Sequence, residues 1–176
     1  MNVEYLTPLV PQFVYHPPIE GRCWQLVQPF VFKVDGHQFT VPAGFWTDFA
    51  SVPRPIWPVI SPYDLGVGPV PHDFGYFTGH ANQAYWDLVL LACMEHDGIS
   101  KFKRNAAYRA VQWFGGWAYE SYRKRNQRCK LIEVMGRPRD WQIGCWSPRM
   151  TVISRSLPPL SVDQSAWLAR LKQLTE

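Results

Sequence analysis

Proline sets the terms on which this chain folds. Sixteen of its 176 residues are proline, near 9%, against about 5% in an average domain. Each one fixes φ and removes a backbone donor, so loops and extended segments should dominate and long helices should be few. Six prolines fall between Pro53 and Pro71. The surrounding stretch, Phe45 to Tyr76, reads as loop with short turns, and its aromatic and aliphatic residues require it to be packed. Disorder is excluded because 47% of the chain is hydrophobic and only 18% charged, where an average domain has about 25% charged residues. Twenty-seven aromatics (9 Trp, 8 Tyr, 10 Phe) supply large flat groups to bury or present.

Charge and cysteine content narrow the class further. A net charge of +4 is too small by itself to indicate nucleic-acid binding. Cys23, Cys93, Cys129 and Cys145 form no CxxC pair, which removes a zinc-ribbon reading. The start, MNVEYLTPLVPQF, lacks the basic and apolar regions of a secretory signal. Free buried thiols in a reducing cytoplasm are therefore expected. The longest strictly apolar run, Leu88–Met94, is seven residues, and a spanning helix needs about 20.

The N-terminal third reads as β. Cys23–Val27 suits a strand. Phe30, Phe32 and Val34 alternate with Val31 and Lys33, and Asp35-Gly36 is a hairpin signal before Phe39 and Val41. Pro42-Ala43-Gly44 ends the returning strand. Helix follows. Gln83–His96 is apolar on almost every face and ends at Gly98, so it should be central and buried. A second helix should run from Ser100 or Lys103 to about Arg125, with Ala107, Val111, Phe114 and Ala118 on its buried face. Gly115-Gly116 within it costs about 1 kcal/mol per residue relative to Ala, which close packing against the preceding helix would offset. The run 123–130 holds five cations; they suit the negative end of a helix or a phosphate-binding patch. Ser161-Val162-Asp163-Gln164 is a capping-box pattern. It opens an amphipathic helix at about 162–175, with Trp167, Leu168, Leu171 and Leu174 on one face. That face must dock on the domain or on a partner.

Three places carry candidate chemistry: Thr47-Asp48-Phe49-Ala50-Ser51-Val52-Pro53-Arg54, then His72-Asp73-Phe74-Gly75-Tyr76, and Asp87 between Trp86 and Leu88. A carboxylate in a helix apolar all round is buried, so it must be paired, metal-bound or protonated.

These residues carry a resemblance. The run VPAGFWTDFASVPR, then HDFGY, then Asp87 eleven residues before Gly98, then AAYRAVQWFGGW resembles a phage and prophage family catalogued as domain of unknown function 1353. The resemblance covers roughly Phe30 to Trp117. It implies a phage or prophage origin and no established activity. Two departures from the family pattern matter: its HDYLY segment is HDFGY here, placing Gly75 where the family has Leu, and Trp86 stands where it has Ala.

One functional reading is a polar site of Asp48, His72, Asp73 and Asp87. His72, Asp73 and Asp87 suit a divalent metal such as Zn, Mn or Mg that would activate water for hydrolysis. Arg54 and Tyr76 would bind substrate, Arg54 by orienting a carboxylate or an anion. Ser51 with His72 as base is a lesser enzymatic option, because no G-x-S-x-G elbow surrounds it. The rival is a non-enzymatic phage protein, a virion or tail component or a host-factor binder, in which the His/Asp cluster is a structural hydrogen-bond network. Its C-terminal extension would meet other phage proteins or a host protein. The two readings place the protein in the host bacterial cytoplasm or in the virion. The expected fold is α+β, a small antiparallel sheet from the N-terminal half packed on two central helices, plus the C-terminal helix. Residues 1–130 form one domain, and 131–176 form an extension.

Overall fold

The computed structural model describes residues 1–15, 23–49 and 60–134. Arg54, Ser51 and the extension beyond residue 134, including the helix expected at 162–175, lie outside the described residues. The strands are β1 (Val3–Tyr5), β2 (Pro11–Phe13), β3 (Trp24–Leu26), β4 (Phe30–Val34), β5 (His37–Val41) and β6 (Trp46–Thr47). The helices are α1 (Pro69–Thr78), α2 (Gln83–His96) and α3 (Lys101–Val134).

The architecture is α+β, and its β part is two three-stranded antiparallel sheets, ordered β1-β4-β5 and β2-β3-β6. The alternation read in β4 is what buries Phe30, Phe32 and Val34 while Val31 and Lys33 stay partly open. Phe32 pairs with Phe39 across the hairpin, and Phe30, Phe32 and Phe39 stack at centroid distances of 5.6 and 5.3 Å. The turn works because Asp35 (φ 48°) and Gly36 (φ 83°) are both left-handed, which matches the right-handed twist of the strands. Asp35 also accepts a 2.6 Å hydrogen bond from the Asn2 amide, which ties β1 to the hairpin.

Helix α2 lies between two apolar clusters. One packs Phe30, Phe39, Phe45, Phe74 and Trp86 under the sheets. The other packs Leu88, Leu91 and Met94 against Ile60, Leu65, Ala107 and Val111. Every residue from Tyr85 to Met94 is buried, as an all-round apolar helix requires. No described helix is long and apolar enough to cross a membrane.

The structure corrects four expectations. Among the described residues three α-helices, not two, pack together. The stretch expected as loop to Tyr76 ends in α1, which starts at Pro69. Proline is accepted in a first helical turn because its missing N–H has no helical partner there. Phe114 is 57% exposed; the buried line on α3 runs through Ala107, Val111, Gly115 and Ala118, and Phe114 sits about 100° from Gly115. Helix α3 also continues to Val134, well past Arg125, since Arg, Lys and Gln are good helix formers.

Candidate functional site

Helix α1 presents His72 and Tyr76 one turn apart on the same face, with ring centroids 4.1 Å apart. Helix α2 presents Gln83 and Asp87 with the same spacing. The two pairs meet. His72 Nε2 lies 3.0 Å from Asp87 Oδ1, and against a carboxylate oxygen that nitrogen is the protonated one. The Tyr76 hydroxyl donates to the same oxygen at 2.6 Å. Gln83 Nε2 donates to Oδ2 at 3.3 Å and lies 3.5 Å from the Val111 carbonyl of α3. Asp87 is 1% exposed and His72 3%. Burial first, and then the Asp87 charge, raise the Tyr76 pKa far above the usual phenol value, so Tyr76 remains a donor. Both carboxylate oxygens are thus engaged by groups from α1 and α2.

Helix α3 closes this network through Gly115. A Cβ there would stand 2.4 Å from the Tyr76 hydroxyl and 3.2 Å from Gln83 Nε2. The close packing expected of Gly115-Gly116 is present, and its partners are polar side chains of α1 and α2. Arg123 of α3 donates to the carbonyls of Tyr76 and of Phe77, the latter at 2.8 Å. This first member of the basic run therefore serves the negative C-terminal end of α1. Its guanidinium occupies the space a side chain at Gly79 (φ 61°) would need, and it lies 5.0 Å over the Tyr119 ring.

Gly75 and Trp86, the two departures that matter, touch each other. A Cβ on Gly75 would fall 1.8 Å from Cδ2 of Trp86. The Trp86 indole therefore lies directly on the α1 backbone and fills the room a larger residue at 75 would take. The largest side chain on α2 thus meets the smallest residue on α1 at this contact.

Asp73 is not part of this cluster. One residue on from His72, it projects about 100° away around α1 and accepts a 2.6 Å bond from the Thr47 hydroxyl. The same hydroxyl oxygen accepts from the Phe49 amide at 3.1 Å, at a residue held with φ 55°. Asp48, half-buried, belongs to this turn. The structure therefore brings together His72, Tyr76 and Asp87 of the expected set, and it places Asp48 and Asp73 at a second point. Among the described residues, no three His, Cys, Asp or Glu side chains converge to hold a metal. Gln83 was missed in the sequence, although its position four residues before Asp87 on one helix was a usable signal.

A family profile described as "Protein of unknown function (DUF1353)" matches residues 24–111. Among curated proteins and solved structures, none matches the chain significantly. The profile spans half the chain and includes His72, Asp73, Tyr76 and Asp87, and the chain belongs to the DUF1353 family.

Proposed function

We propose that this protein is a non-enzymatic phage protein, a virion or tail component or a binder of a host factor, and that the His72–Asp87 cluster is its structural keystone. The observation that supports this reading is the state of Asp87. Its carboxylate is buried at the contact of three helices, and both oxygens accept hydrogen bonds from His72, Tyr76 and Gln83. A buried carboxylate whose two oxygens are both engaged by neighbouring side chains suits a network that fixes the packing of the helices. Asp73 is likewise engaged by Thr47. The phage setting comes from the family resemblance. The partner is another phage protein or a host protein, met through the extension 131–176.

The test is stability together with metal content. Asp87→Ala leaves His72, Tyr76 and Gln83 buried without their acceptor, at a cost of about 3–5 kcal/mol. Denaturation of Asp87→Ala and His72→Ala should show both strongly destabilised. Elemental mass spectrometry should find no stoichiometric metal in untagged protein purified without chelator. Near-stoichiometric Zn, Mn or Mg, lost in a variant that remains folded, would replace this reading with the metal-dependent hydrolase.

A further inference from the structure

Helix α3 turns two tryptophans outward, Trp113 at 76% exposure and Trp117 at 82%. They stand one turn apart and within about 40° of each other, on the side away from Val111, Gly115 and Ala118. Two adjacent exposed indoles form an apolar patch of the kind that marks an interaction surface. The patch is bounded by charge, and the order of the charges decides what fits it. Arg109 and Glu120, both exposed, lie at its two ends, within about 20° of each other and on one flank of the indoles. Along the helix they are about 16.5 Å apart, too far to pair within one chain. Their midpoint falls between Phe114 and Gly115, within half a residue of the midpoint of the two indoles.

We propose that this face is a self-complementary interface, on which α3 of a second copy of the chain packs antiparallel about a two-fold axis. Such an axis inverts height along the helix and leaves each flank on its own side. Arg109 of one copy therefore meets Glu120 of the other, twice in the dimer, and the four indoles gather at the centre. Phe114, 57% exposed, lies on the opposite flank beside the axis, so its two copies approach each other. A parallel pair would set Arg109 against Arg109 and Glu120 against Glu120, which repel. A nucleic-acid strand would gain Arg109 but meet the Glu120 carboxylate on the same face. The area agrees as well. At about 250 Å² for a tryptophan side chain, Trp113 and Trp117 of both copies bring about 800 Å² of exposed surface to the contact. The Phe114 rings and the Arg109 stems carry it past the roughly 1,000 Å² that a specific interface needs. Tryptophan and arginine are also the residues enriched where interfaces hold most strongly. The inference goes beyond the structural reading of the His72–Asp87 cluster and does not depend on it.

The experiment is sedimentation velocity on the full chain across a concentration series, for the wild type, Arg109→Glu, Glu120→Arg and the two substitutions combined. Both positions are exposed, and circular dichroism should show every variant folded. The wild type should dimerise. Each single variant sets two like-charge pairs across the axis and should dimerise about tenfold or more weakly. The combined variant should return to within about threefold of the wild type. An equimolar mixture of the two single variants should also dimerise, because each then supplies the charge that the other lacks. A wild type that stays monomeric at every concentration, a dimer indifferent to the single variants, or single variants that do not rescue each other overturns the proposal. So does a monomer whose tryptophan fluorescence is quenched by a single-stranded oligonucleotide, which would assign the face to nucleic acid.

Discussion

Gly115→Ala and Gly116→Ala are neighbouring substitutions of the same chemistry, and the structure assigns them opposite signs. In an exposed helix interior, Gly to Ala stabilises by about 1 kcal/mol. At Gly116 the new methyl would meet Gln83 Oε1 at 3.4 Å, an ordinary contact, so most of that gain should appear. At Gly115 it would stand 2.4 Å from the Tyr76 hydroxyl. The phenol must retreat by about 1 Å, which breaks its 2.6 Å bond to Asp87; a bond to a charged group contributes about 1.5–3 kcal/mol. Displacing the packed ring adds about 1–3 kcal/mol. After the helix gain is subtracted, Gly115→Ala should cost about 1.5–5 kcal/mol. Urea denaturation followed by circular dichroism at constant m-value measures both. Tyr76→Phe is the control, because it removes the oxygen that the methyl strikes. In that background Gly115→Ala should cost much less, with a coupling of about 1 kcal/mol or more in the cycle. If Gly115→Ala proves as stable as Gly116→Ala, or if its cost is the same with Phe at 76, the placement of α3 against this network is wrong.

Three further outcomes follow from the same contacts. Trp86→Ala should cost about 3–5 kcal/mol through the cavity it leaves, and adding Gly75→Leu should recover part of that in chemical denaturation, although Gly75→Leu alone should unfold the chain against Trp86. Arg123→Ala should destabilise by about 1.5–3 kcal/mol by thermal melt, and Arg123→Lys by less, since a single guanidinium nitrogen donates to both the Tyr76 and Phe77 carbonyls and an ammonium also carries more than one N–H. Stability should fall in alkali: burial pushes the Cys93 thiol up to about 12 and raises Tyr76 and Tyr85 above the usual phenol range. Folding therefore favours the protonated forms; their contribution is complete below the unfolded values, near 8.5 for Cys and 10 for Tyr, and declines as pH rises through the interval up to the folded ones. Denaturation midpoints that stay level from pH 7 to beyond pH 10 would contradict this.

Much of the local structure was legible along the chain. The Phe30–Val41 hairpin is announced by alternation and by Asp35-Gly36, which are short-range features. The end of α2 follows from Gly98, whereas its N-cap, the Asn82 side chain that accepts from the Tyr85 amide, came from the structure. That Asp87 needs a buried partner follows from its apolar neighbours alone, and His72 was available as that partner. Helix α1 was obscured because two prolines stand in its first turn, and a linear reading weighs them as breakers without knowing that the turn begins there.

What the sequence by itself determined is therefore the set of short-range decisions: which segments alternate, where turns and caps fall, and that one carboxylate must be buried and satisfied. Tertiary structure alone decided which groups satisfy it and how large the neighbours could be. His72, Tyr76 and Gln83 converge on Asp87, with Gly115 of α3 set against Tyr76 and Gln83; Trp86 lies on the bare backbone of Gly75, and Arg123 caps a helix 47 residues before it in the chain. Such arrangements depend on the angle and separation at which helices pack. Those are set by the summed fit of many side chains, a quantity that no short stretch of residues contains.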